Sequence, residues 1–156
     1  MRRTAKEFFE EVRAAAMDAD RCKSQLEALQ FKLHTFGGGG FEPRTTNNVD
    51  ADKIGRRVAH YVDMEKKLEE RMEQDWALID RACVVLYGQD QRGGGGIDKV
   101  VSSTWADTLW WRYCAAETWD VVARSMGCSV RPCQQNVGHA LAWIDKNRFM
   151  SAIIDA

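Results

Sequence analysis

The sequence predicts an all-helical protein. Only two prolines occur in 156 residues, apolar side chains recur at steps of three and four rather than two, and two glycine runs cut the chain into long periodic segments. The expected architecture is all-α: a long antiparallel helical hairpin, in effect a coiled-coil arm, followed by a small three-helix domain.

The first segment carries Phe8, Val12, Ala15, Ala19, Cys22, Leu26, Leu29 and Leu33 at alternating steps of four and three. That is a heptad seam, with Glu7, Glu10, Glu11, Arg13, Asp18, Arg21 and Lys23 on the wet side. Small residues in mid-seam favour close approach of a partner helix, and Thr4 is the expected N-cap. The pattern stops at "FGGGGFEPRTTNN", read as a flexible linker from about Gly37 to Asn48. It lacks the Gly-Lys-Ser/Thr that a phosphate-binding loop sets directly before a helix.

A second helix is expected from about Asp50 to Tyr87, with Ile54, Val58, Tyr61, Met64, Leu68, Met72, Trp76, Ile79, Cys83 and Leu86 as its apolar stripe. Each helix is about 30–38 residues, or about 45–57 Å at about 1.5 Å per residue. Neither stripe is stable in water, so the two pair with each other or with a second copy of the chain. The organisation expected is a hairpin arm over residues 1–87, a glycine-rich connection over 88–100 ("GQDQRGGGGIDK" and its neighbour), and a separate domain over 101–156.

Five of the six tryptophans, Trp105, Trp110, Trp111, Trp119 and Trp143, fall in that last domain. So small a domain needs large side chains to bury enough area, and core packing explains most of them; stacking on unpaired bases is the functional rival. Adjacent Trp110 and Trp111 are not expected to share one core. Three helices are laid out here. The first runs from about Ser103 to Ala115. The second is capped by Thr118 and stopped by Gly127. The third opens at Ser129, with Cys133, Val137, Ala140, Leu141 and Ile144 facing inward and Arg131, Gln134, Gln135, Gly138 and His139 outward. Pro132 disfavours helical geometry at Arg131, which favours a start at Pro132 itself, with Arg131 at the lip.

Several functions are set aside. The net charge of −1 gives no global field toward DNA or an anionic membrane, so any nucleic-acid contact is local. The amino-terminal acids exclude a signal peptide, and the longest apolar run, "ACVVLY", is too short for a bilayer. Without an export signal the five cysteines read as reduced thiols in a cytoplasmic protein. A metal site on Cys128, Cys133 and His139 is disfavoured, because their spacing divides them between two sides of one helix. His34, His60 and His139 lie on different elements with no nucleophile–base or paired-carboxylate arrangement, so neither an enzyme nor a cofactor is expected.

What remains is the short helix–Gly–helix hairpin, a helix-turn-helix pattern. Arginine makes two hydrogen bonds to guanine and glutamine does the same with adenine, and the first turns of a recognition helix are where such side chains meet base edges. Thr118, Ser129, Arg131, Gln134, Gln135 and His139 are therefore the candidate DNA-binding residues. Ser129, at a helix start with free amides, suits a backbone phosphate. Arg131, Lys146 and Arg148 outweigh Asp145 and leave this end mildly positive.

The run "TLWWRYCAAETWDVVARSMGCSVRPCQQNVGHAL" resembles the carboxyl-terminal half of small phage and prophage proteins with a sigma-factor-like helix-turn-helix, a set including late-gene transcriptional regulators. The matching positions are Arg112, Tyr113, Thr118, Trp119, Val122, Ala123, Met126, Gly127, Ser129, Arg131, Gly138, Ala140 and Leu141. The opening coiled segment is similar to that family's as well, although the specific likeness covers about the last forty residues. The resemblance implies a regulator that binds double-stranded DNA in a bacterial cell and is nucleoid-associated when bound, with RNA polymerase or a second copy of the chain as partner. The chain departs from the family at Gln134 and Gln135 (commonly basic), Asn136 (commonly apolar), Cys128 (commonly aromatic), Pro132, and the Gly93 to Gly96 insertion. Uncharged Gln134 and Gln135 neutralise no phosphate, so modest and weakly salt-dependent affinity is expected. The alternative function is a structural adaptor that keeps the helix-turn-helix only as a packing unit and acts through helical self-association or polymerase contact.

Overall fold

A computed structural model describes residues 2–37, 48–89 and 95–156. Among these, secondary structure is helical apart from a single antiparallel bridge between Gly88 and Gly95. The first two helices are α1 (Ala5–Gly37) and α2 (Asn48–Tyr87). The linker expected at Gly37 to Asn48 lies, between those two end residues, outside the described residues, as do residues 90–94 of the second glycine run. No described helix is long and apolar enough to cross a membrane.

The chain divides into two compact units. Within residues 18–74, α1 and α2 run antiparallel: Arg71 reaches Asp18 at 2.5 Å, and further along the Lys32 ammonium sits 5.6 Å from the Tyr61 ring centroid. The pairing is thus within one chain. Ala19, Cys22 and Leu68 are buried along the seam, and the flanking Leu26, Leu29, Leu33, Met64 and Met72 are half-buried. The heptad reading of α1 holds from end to end.

The second unit takes Met1–Met17 together with Asp75–Ala156. Packing therefore runs across residue 87, where the sequence places a domain boundary. Phe8, Phe9 and Val12 of α1 and Ala82, Val85 and Leu86 of α2 join one core with Leu109, Ala140 and Ile144. Each of the large side chains contributes about 1.5–3 kcal/mol through burial. Around them stand α3 (Ile97–Val100), α4 (Ser103–Leu109), α5 (Trp119–Met126), α6 (Val130–Asn147) and α7 (Ser151–Ile154). The three expected helices are present as α4, α5 and α6, and α3 and α7 add to them.

Three further corrections have physical reasons. Trp76 and Ile54 of the expected stripe are exposed, while Ala82 and Val85 are fully buried. Near its end α2 packs with more than one neighbour, so its buried arc widens and swings away from the side that carries Trp76. The first domain helix is not uniform: α4 gives way to a π-helical stretch, Trp110–Cys114. The adjacent tryptophans have their rings edge to face at 5.0 Å. Trp110 packs on the main core and Trp111 on a small second cluster of Val122, Ala123 and Cys133, and both are half-buried. Lastly, the part of the glycine-rich connection that is described is packed: Ile97 is fully buried, and a Cβ on Gly96 would stand only 2.4 Å from the Tyr87 carbonyl carbon.

The ends of α1 and α6 are tied together by polar groups. Thr4 and Glu7 form a reciprocal capping box, Glu7 accepting from the Thr4 amide at 2.8 Å and the Glu7 amide donating to the Thr4 hydroxyl at 3.2 Å. Asp145 of α6 accepts from the next free amide, that of Ala5, at 2.8 Å.

Candidate nucleic-acid interface

The pair of helices α5 and α6 is built by local chemistry. Thr118 caps α5 by accepting from the Val121 amide at 3.5 Å. Arg112 donates to the Glu117 carbonyl at 3.0 Å and lies 4.3 Å from the Trp119 ring centroid, which fixes the tight entry into α5. At the other end Gly127 takes a left-handed conformation, φ 69°, which an L side chain adopts only with strain. There the Cys128 amide bonds the Ala123 carbonyl at 3.0 Å and the Gly127 amide bonds that of Arg124 at 3.3 Å, satisfying two of the carbonyls that the helix end leaves free.

α6 begins at Val130, not Pro132. Ser129 is extended at the N-cap position, so Pro132 falls on the third helical residue, where the missing amide costs no intrahelical bond. The Ser129 side chain makes no capping bond. Pro132 leaves only Val130 and Arg131 to offer first-turn amides outward.

Both clusters hold α6. Cys133 packs beside Val122 and Ala123, and Val137, Ala140, Leu141 and Ile144 pack into the main core. The opposite face is thereby presented to solvent. Arg131, Gln134, Gln135, Gly138 and His139 are all exposed, and at about 100° per residue they lie within an arc of about 140°. Thr118 and Ser129 are exposed as well. The six candidate residues are thus all accessible, but they differ in what they do for the fold. Thr118 is engaged as a cap, and the His139 ring sits 6.4 Å from that of Trp105. Gly138 has nothing within 4 Å of where a Cβ would sit, so no packing reason demands a glycine there.

The charges around this face are partly committed. Asp145, the acid expected to offset Arg131, Lys146 and Arg148, is bonded to α1. Of the three residues weighed as a metal site, Cys133 is buried and His139 is exposed. Cys128 and Cys133 do approach, their sulfurs 3.1 Å apart, and burial together with this neighbour pushes the Cys133 thiol up to about 11.

Sequence reasoning missed Arg13, which it set on the wet side of α1. The side chain is half-buried, and among the described residues its buried Nε has no hydrogen-bond partner. The available signal was position: residue 13 directly follows the seam residue Val12.

No family model, curated protein or solved structure matches the chain.

Proposed function

We propose that this protein is a sequence-specific DNA-binding transcriptional regulator of the phage and prophage sigma-like type, acting with α6 in the major groove. The observation that supports this most is the outward polar face of α6. Arg131, Gln134 and Gln135, whose side chains have the donors and acceptors that guanine and adenine match, stand exposed in its first turns on a packed scaffold. The glycine at 138 adds to it, since a residue without a side chain on that face permits close backbone approach. Ser129 and the amides of Val130 and Arg131 are the phosphate contacts in this reading, and Thr118 serves through its cap as much as through DNA. One weakly cationic helix gives little affinity, so two copies of the chain, or RNA polymerase as partner, complete the binding.

A gel shift at low salt, with DNA from the protein's own gene neighbourhood, tests this. Binding that survives random-sequence competitor supports it, and Arg131→Ala then costs about 1–3 kcal/mol at one base position. A folded protein that shifts no duplex returns the reading to its alternative, an adaptor acting through helical self-association. That second reading draws on the 18–74 unit, where Phe31 is 73% and Val62 52% exposed.

A further inference from the structure

Inside the larger unit, α1, the π-helical stretch and the start of α5 border an open concavity of about 430 Å³. Lys6, Glu10 and Arg13 of α1 line it with Arg112, Tyr113 and Trp119. Three cations therefore meet one carboxylate, and Glu10 already has Lys6 at 3.9 Å. Among the described residues neither guanidinium has a carboxylate partner. Arg13 donates to the Met17 sulfur, at 3.5 Å, and among the described residues its buried Nε has no hydrogen-bond partner. Arg112 spends one nitrogen on the Glu117 carbonyl and its face on Trp119. Burial, and after it the charge of Arg13, hold the Arg112 pKa below its ordinary value. A folded protein holds two such like charges beside one concavity at a cost, and a bound anion removes that cost.

We infer that this cavity is an oxyanion site for the phosphate of a small phosphate monoester, gripped between the Arg13 and Arg112 guanidiniums. Planar guanidinium forks match tetrahedral oxyanions with paired hydrogen bonds, which an ammonium does not do. The excess of two positive charges over Glu10 matches a dianion better than a phosphodiester. The cavity is of small-ligand size, with the Tyr113 and Trp119 rings as its apolar wall. It shares no residue with the outer face of α6 and stands whether or not α6 meets DNA.

Calorimetric titration of the full chain at about pH 7.5, where a monoester is mostly dianionic, tests this with inorganic phosphate, glycerol phosphate and dimethyl phosphate at matched ionic strength. Saturable heat is expected for the first two, and binding of the diester at least about tenfold weaker. Arg13→Gln should remove that heat by about tenfold or more in affinity while leaving the unliganded protein no less stable to heating, because it relieves like-charge crowding. Arg112→Lys, which keeps the charge and loses the fork, should weaken phosphate similarly. Absence of saturable heat, equal heat in wild type and Arg13→Gln, or a diester bound as tightly as the monoester would each overturn the assignment.

Discussion

The sulfurs of Cys128 and Cys133 lie 3.1 Å apart across the start of α6, one exposed and the other buried. Burial and the adjacent thiol raise the Cys133 pKa to about 11, so its thiolate is scarce near neutrality. Native alkylation near neutral pH should therefore label Cys128 first and Cys133 at least about tenfold more slowly until denaturant is added. Peptide mapping by mass spectrometry reads the order. Equal rates in the native protein would mean that the Val122, Ala123 and Cys133 cluster is open.

Glu7 supplies a pH dependence. Its carboxylate accepts from the Thr4 amide and hydroxyl, and these bonds hold its pKa below the ordinary value. A carboxyl with a depressed native pKa stabilises the fold above its unfolded value, about 4.3, and loses that contribution as pH falls through the lower native value. Glu7→Gln should therefore melt below wild type at neutral pH, and the gap should narrow as the pH drops below about 4. Melting curves across that range check it, and a constant gap would remove the charged capping box from the account.

Gly96 has a steric role. A methyl there meets Tyr87 carbon at 2.4 Å and the Gly88 nitrogen at 2.5 Å, both backbone atoms that cannot swing aside. Gly96→Ala should destabilise by about 1–3 kcal/mol, the usual cost of overpacking. Chemical denaturation measures it. A neutral result would show that the end of α2 and the start of α3 separate easily.

Gly138 predicts opposite signs for stability and binding. Its Cβ position is empty space on a helix interior, so Gly138→Ala should stabilise the fold by about 0.5–1 kcal/mol. If this face enters a groove, the same methyl should weaken DNA binding. Paired denaturation and gel-shift titrations separate the two effects, and tighter binding by the alanine variant would count against α6 as the groove element.

Legibility in the sequence followed how far each feature depends on local periodicity. The seam from Phe8 to Cys22 was readable because a helix brings residues three and four apart onto one face, and every seam position proved buried. The cap at Thr118 and the stop at Gly127 were readable because their chemistry is local. Trp76 was misplaced because the direction of burial on α2 depends on neighbours far along the chain. The π-helical stretch was missed because nothing in "WWRYC" itself demands a wider turn. Arg13 and Arg112 could not be paired from sequence, since they stand ninety-nine positions apart and come together only in the folded unit. The outward face of α6 was legible as a pattern, and its accessibility became visible only with Cys133 and Val137 placed in their separate clusters.

The most direct measurement is selection of duplexes from a randomised pool at low salt, run with the wild-type chain and with a folded Arg131→Ala, Gln134→Ala, Gln135→Ala triple variant. The account predicts that wild type enriches a short motif and the triple variant enriches none. A folded wild-type protein that returns the pool unchanged, or a triple variant that enriches the same motif, contradicts it.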